Sequence, residues 1–249
     1  MSSVVRLAAT PYEKVWGSIG TEPWHHNSAR QKIGEVWFTP PEGSKLLLKL
    51  LFTSENLSVQ VHPNDEQACR YGHQRGKTEM WHILRADPGA KIALGLKQPI
   101  TPAQFPKIED FLNWIPVHPG ETYFVPAGTI HAIGAGIVLA EIQQLSDVTF
   151  RIYDYGRDRE LHLDQSAAVS ILAPQGEAPV TLPVTSNYFH TDRLTVHGTH
   201  QITQPAFLIV LEGEGTIDGH TFKPGEAFLV THPAEIESQD ATLLTTFEP

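Results

Sequence analysis

The chain has 249 residues, 41% of them hydrophobic, enough to bury a sizeable core in one large domain or two small ones. Its 18 Lys and Arg stand against 28 Asp and Glu, a formal charge of −10 with no basic stretch, which makes nucleic acid and anionic membranes poor partners. A single cysteine, Cys69, excludes an internal disulfide framework, and neither a signal-peptide pattern nor a bilayer-length apolar run occurs, so the expected location is cytoplasmic.

Short apolar runs punctuated by Pro-Gly, Glu-Gly and Asp-Gly pairs are the pattern of an all-β protein. Extended segments are expected over residues 45–52 and 57–61. In the second, alternation puts Leu57, Val59 and Val61 on one face and Ser58, Gln60 and His62 on the other, so two ligand-type side chains project side by side. A short helix is expected over 64–71, capped by Asn64 or Asp65 and carrying Cys69 as a partly buried thiol. A strand over 79–85 opens with Glu79, on the same face as Lys77, while Met80 and His82 face the other way. A helical stretch at about 102–112 and a strand over 122–125 come next, followed by Pro-Ala-Gly-Thr-Ile-His ending at His131.

The run from Ile137 to Ile142 is apolar except for Glu141, whose carboxylate would be costly to bury without a partner or a task. In the strand expected over 148–153, Asp147, Thr149, Arg151 and Tyr153 share a face opposite Val148, Phe150 and Ile152. A third helix is expected over 164–172, capped by Asp164.

Residues 173–179 (Ala-Pro-Gln-Gly-Glu-Ala-Pro) read as a linker that divides a unit of residues 1–172 from a smaller one of 173–249. The smaller unit has expected strands over 206–211, 215–218, 227–231 and 242–247. The two units share a phrase, since His-Pro-Gly-Glu-Thr-Tyr-Phe-Val at 118–125 is echoed by Lys-Pro-Gly-Glu-Ala-Phe-Leu-Val at 223–230. Only the first copy continues to a Pro-x-Gly-x-x-His. That pattern resembles the second conserved motif of cupin barrels. The expected fold is therefore all-β, a double cupin of two jelly-roll-like barrels with a few short helices, its second barrel degenerate and without metal.

Two His, one Glu and one Gln suit a divalent cation, because zinc takes imidazole nitrogen and carboxylate oxygen readily and a catalytic site leaves a position open. The neutral amide leaves the ion a net positive charge, so it stays a strong Lewis acid towards a sugar carbonyl or hydroxyl. The mixed nitrogen and oxygen set also accepts Mn2+, Co2+ or Fe2+.

The segments 58–63 (Ser-Val-Gln-Val-His-Pro), 76–81 (Gly-Lys-Thr-Glu-Met-Trp), 125–132 (Val-Pro-Ala-Gly-Thr-Ile-His-Ala) and 141–154, with smaller matches around Trp16 and at 34–37, resemble type I mannose-6-phosphate isomerase in its short bacterial form. The resemblance is dense over residues 12–160. It implies one zinc per chain held by Gln60, His62, Glu79 and His131, and an aldose-ketose isomerase acting on a small sugar phosphate, as a monomer or homodimer. It further implies Arg151, Lys77 and Glu141 as catalytic residues and Lys49 and Ser58 as phosphate contacts; separately, a phosphorylated substrate needs cations concentrated in a chain of charge −10, and Arg157 or Arg159 is expected to assist at the rim. Which of Lys77 and Glu141 is the base stays open, and an ion pair with Asp147 or Asp154 is the structural alternative for Arg151. Isomerisation of another or an unphosphorylated sugar, a metal-binding sugar sensor without catalysis, and a cupin dioxygenase are the competing functions.

Overall fold

The computed structural model describes residues 3–176 and 178–249; Glu177, within the expected linker, lies outside the described residues. The first part of the chain forms β1 (Val4–Arg6), β2 (Ala9–Ser18), β3 (Ile33–Phe38), β4 (Leu46–Phe52), β5 (Val59–Val61), α1 (Asp65–Arg70), β6 (Glu79–Ala86) and β7 (Lys91–Leu96). A 3-10 helix (Pro102–Asp110) leads to β8 (Leu112–Pro116), β9 (Thr122–Val125), β10 (His131–Ile133), β11 (Ile137–Gln144), β12 (Phe150–Tyr153) and α2 (Leu163–Val169). After these come β13 (Val184–Thr185), β14 (His190–Ile202), β15 (Ala206–Glu212), β16 (Gly215–Ile217), β17 (His220–Phe222), β18 (Ala227–Val230) and β19 (Ala234–Phe247). No helix among the described residues is long and apolar enough to cross a membrane.

Three antiparallel sheets result: a six-stranded one in the order β2-β3-β4-β11-β6-β9, a five-stranded one in the order β12-β5-β10-β7-β8, and an eight-stranded one built mainly from β13 to β19. β1 belongs to the last of these, pairing residue by residue with β18. Every residue of β4 and β11 is buried, because both faces of the six-stranded sheet are covered. On one face Leu46, Leu48, Leu50, Phe52, Val138, Ala140 and Ile142 pack against Phe207, Ile209, Leu211 and Leu244 of the eight-stranded sheet. The other face looks into the first barrel and carries the polar residues.

Several expectations need correction. The stretch at 102–110 is a 3-10 helix because Pro106 inside it has no N–H to donate and crowds an α-helical turn. Asn64 does cap α1, with Gln67 answering it. Asp164, however, lies in the first turn of α2, whose N-cap is His162. Cys69 is exposed, since Ala68 takes the inward position of α1. The strand expected over 242–247 is the second half of the 14-residue β19. The echoed Pro-Gly turns are real, and Gly225 is obligatory: a Cβ there would stand 1.7 Å from the carbonyl oxygen of Trp24.

On the face that meets the eight-stranded sheet, His82 is buried and its Nδ1 pairs with Thr122 Oγ1 at 2.8 Å. Burial and the nearby Arg193 hold this imidazole down at about 4. The unfolded chain therefore binds more protons between pH 6.5 and 4, and the stability is complete above that window and lost as pH falls through it. His82→Gln should remove about 2 to 3 kcal/mol of this pH dependence. Urea unfolding at pH 7 and 4.5 checks it: an equal loss in variant and parent would refute the assignment.

Candidate active site

Antiparallel register sets two rows of side chains facing each other inside the first barrel. On the five-stranded sheet Arg151 of β12 lies opposite Gln60 of β5, which in turn lies opposite His131 of β10. Residues directly opposite share a face, so the three side chains stand side by side. On the six-stranded sheet the row is Trp37 of β3, Lys49 of β4, Glu141 of β11 and Trp81 of β6. Glu79, two residues before Trp81, points the same way.

Between the rows the side chains of His62, Glu79 and His131 bring one ligand-type atom each to within 4.8 Å of one another. His62 Nε2 is 3.6 Å from one Glu79 oxygen and His131 Nε2 is 3.5 Å from the other. Both imidazoles are orientated from behind: His62 Nδ1 donates to the carbonyl of Val148 at 2.8 Å and His131 Nδ1 to that of Thr129 at 2.9 Å. Each Nε2 thereby keeps its lone pair, the tautomer that a metal requires. Burial keeps both rings neutral, His131 being held at about 4, and it pushes the Glu79 carboxyl up to about 7 against the pull of Lys77. Among the described residues, His62 Nε2 and Glu79 Oε1 are buried without a hydrogen-bond partner. Buried polar atoms are normally satisfied, so orphaned donor groups converging on one point fit a cation. Gln60 supplies a fourth group, its amide 3.3 Å from His131 Nε2. A half-turn of that amide exchanges nitrogen and oxygen without moving the chain.

Next to this cluster opens a cavity of about 260 Å³ lined by Lys49, Ser58, Gln60, Lys77, Glu141 and Arg151, all residues singled out in the sequence. Lys14, Trp16, Glu35, Trp37, Asp147 and Arg159 also line it. Five cationic and three anionic side chains line it, Asp147 being the third acid, so positive charge is concentrated here in a chain whose net charge is −10. The cations differ in how far they are committed. Lys49 Nζ is spent on Glu141 Oε1 at 3.0 Å and Gln143 Oε1 at 2.6 Å, and it lies over the Trp37 ring. Lys77 Nζ stands 3.1 Å from Glu79, and Arg159 is paired with Asp154. Arg151 pairs with neither Asp147 nor Asp154 among the described residues; it donates from NH1 to the Glu160 carbonyl, and its Nε has no partner.

No family model matches the chain. Individual proteins do: it is 38% identical over 199 residues to the mannose-6-phosphate isomerase of Streptococcus mutans, a match covering 69% of this chain and 62% of that one. It is 35% identical over 244 residues to the mannose-6-phosphate isomerase ManA of Bacillus subtilis, over 85% of this chain and 75% of the relative. The chain belongs to the mannose-6-phosphate isomerase family. Its fold matches the crystal structure of the mannose 6-phosphate isomerase from Bacillus subtilis with a TM-score of 0.87 at 24% identity, over 99% of this chain and 100% of that one. A single-site variant of the phosphomannose isomerase from Salmonella typhimurium matches with a TM-score of 0.81 at 16% identity, over 99% of this chain and 100% of the other. The all-β cupin fold expected from the sequence is thus borne out.

Glu141 is the carboxylate that the apolar run made conspicuous, and the family's fold gives it two partners. Lys49 holds one oxygen and Trp81 Nε1 donates to the other at 3.1 Å. Burial alone would raise its pKa, but Lys49 and Lys77 together outweigh that and keep it below the ordinary value. Removing one member of a buried ion pair costs about 3 to 5 kcal/mol, because the other is left as an uncompensated charge. Lys49→Met is therefore expected to lower the melting temperature by roughly 10 °C at pH 7. The deficit should shrink as pH falls, since the carboxyl, its pKa now raised, can take up a proton in the folded state. Calorimetry across pH 4 to 7 tests this, and a deficit independent of pH would show that the ion pair is not what was lost.

The sequence offered little reason to assign a role to Lys14, Trp16, Glu35 or Trp37. Neither β2 nor β3 is among the expected strands, and the one pointer to these positions is the pair of smaller family matches around Trp16 and at 34–37. Trp37 Nε1 donates to Glu35 at 2.9 Å, and Glu35 also pairs with Lys14.

Proposed function

We propose that the protein is a zinc-dependent aldose-ketose isomerase that interconverts mannose 6-phosphate and fructose 6-phosphate through an enediolate. The observation that carries this reading is a cavity, lined by an ionised carboxylate and a guanidinium free of ion pairs among the described residues, that opens next to orphaned ligand atoms. Gln60, His62, Glu79 and His131 would hold the ion. When bound, it would supply Lewis acidity towards the oxygens on C1 and C2 of the open-chain sugar.

The reaction takes a proton from C2 and returns one to C1. Glu141 is ionised, and it is the group in the cavity best able to accept that proton, its charge sustained by Lys49 and Lys77. Lys77 stays protonated because Glu79 and Glu141 together outweigh the cost of its burial, which suits it to stabilise negative charge developing beside it and makes it the weaker base. Arg151 brings a planar fork of donors to the phosphate or an enediolate oxygen. Ser58 stands two residues from Gln60 on the same wall and is the second phosphate contact. The saturated bonds of Lys49 favour giving it the task of holding Glu141 ahead of direct phosphate binding. Residues 1–172 would form the catalytic unit, and 173–249 the smaller one that covers the back of the six-stranded sheet.

The test is a coupled assay of fructose 6-phosphate formation on protein stripped by chelator and reloaded with zinc, manganese, cobalt or iron, with free mannose alongside. Metal-restored turnover of the phosphorylated sugar alone is the expected result. Turnover of free mannose would reject the phosphate contacts, and a reloaded protein inert towards both would reject the reaction.

A further inference from the structure

Behind the cavity wall, the segment that delivers Lys77 and Glu79 is bolted in place by two residues that do not line the cavity. Gln144, the last residue of β11, is buried, and its backbone N–H, side-chain oxygen and side-chain nitrogen are all hydrogen-bonded across the wall. Its backbone N–H donates to the carbonyl of Thr78 at 3.1 Å, its side-chain oxygen accepts the Thr78 N–H at 2.9 Å, and its side-chain nitrogen donates to Asp65 Oδ1 at 2.8 Å. The same Asp65 oxygen accepts the N–H of Gly76 at 2.8 Å. Thr78 sits between Lys77 and Glu79, while Asp65 opens α1 three residues after His62. One carboxylate and one amide therefore tie three stretches together: the one carrying His62, the one carrying Lys77 and Glu79, and the strand carrying Glu141.

The surrounding packing is tight enough to transmit an error. Lys77 N–H donates to the Pro63 carbonyl at 3.0 Å, and the N–H of Gly128, on the loop before His131, donates to the carbonyl of His62 at 2.8 Å. At Gly76 a Cβ would stand 2.4 Å from the Asn64 backbone, so this crossing admits no side chain. Asp65 and Gln144 line a separate cavity with Lys45, Arg75, Tyr188 and Glu248, on the far side of the wall. They can reach the site through the backbone alone.

We propose that Gln144 and Asp65 are positioning residues that set Lys77 and Glu79 against His62, and so fix both the ligand geometry and the placement of the cation beside Glu141. The inference deepens the isomerase reading and rests on it for its kinetic arm; its metal arm is independent. Gln144→Met keeps the volume and removes both side-chain bonds. Displacing groups that orientate metal ligands typically costs 10- to 100-fold in metal affinity or activity. The variant should release zinc to a colorimetric chelator about 10 to 100 times faster than the parent, with kcat down by a similar factor and KM within about two-fold. Asp65→Asn keeps the accepting oxygen and should stay close to the parent, whereas Asp65→Ala should behave like Gln144→Met. A purely structural role would lower the urea midpoint and leave zinc release and kcat of the folded protein at parental values, which would overturn the proposal. Should Gln144→Met fail to fold, the two Asp65 variants decide by the same readouts. If the parent itself does not turn over mannose 6-phosphate, the isomerase reading fails, and zinc release still decides on positioning.

Discussion

His131→Ala should emerge from dialysis without metal and without detectable turnover. The ring is buried, its Nδ1 is committed to Thr129, and its Nε2 faces Glu79 and Gln60. Alanine leaves a hole that water can enter but removes one of three strong donors, and loss of a ligand exceeds the 10- to 100-fold cost typical of its orientating partners. Metal content by mass spectrometry and kcat/KM are to be measured together. Added zinc raises the melting temperature of the parent by mass action, and that response should be absent in the variant. A variant that keeps a full complement of metal would remove His131 from the ligand set.

Arg151→Ala is expected to separate catalysis from metal binding. The guanidinium stands in the same row as Gln60 and His131, yet among the described residues it makes no ion pair with a carboxylate, and the Glu160 carbonyl takes only one of its donors. Removing a donor that meets charge developing in the transition state costs about 100- to 1000-fold in rate. The variant should lose that much in kcat/KM while holding its metal, and Arg151→Lys should recover little, because an ammonium cannot reproduce the two-pronged fork. Loss of metal along with activity would assign Arg151 to the architecture of the barrel.

The residues that meet at the site could be read in the sequence because β-alternation is local. Gln60 and His62, and Lys77 and Glu79, are each two positions apart, so each pair projects from one face of one chain segment whatever the rest of the fold does. The neutral tautomers of His62 and His131 could not be read, because they depend on the carbonyls of Val148 and Thr129, and only one of these is near its histidine in sequence. The same holds for the pairing of Lys49 with Glu141, which lie 92 positions apart and become neighbours through the register of β4 with β11. Strands were found where they are buried on both faces, as β4 and β11 are, since apolar runs advertise that environment. β14 was missed: it reads His-Thr-Asp-Arg-Leu-Thr-Val-His-Gly-Thr-His-Gln-Ile, and its long partnership with β19 supplies the order that composition withholds. The helical stretch expected near 102–112 is present, but as 3-10 structure interrupted at Lys107, directly after Pro106, a local cause that was visible in the sequence.

The pairing of β1 with β18 has a bearing on how the protein is made. Val4 meets Val230, and Trp24 Nε1 donates to the Leu211 carbonyl. During synthesis at roughly 5 to 20 residues per second, the first strand waits on the order of ten to forty-five seconds for its partner to leave the ribosome. Throughout that interval the edge of the first strand stands unpaired, and the first barrel lacks the full backing of its outer sheet. Chains cut short before residue 227 should therefore be found with chaperones or in aggregates, not as a smaller working enzyme.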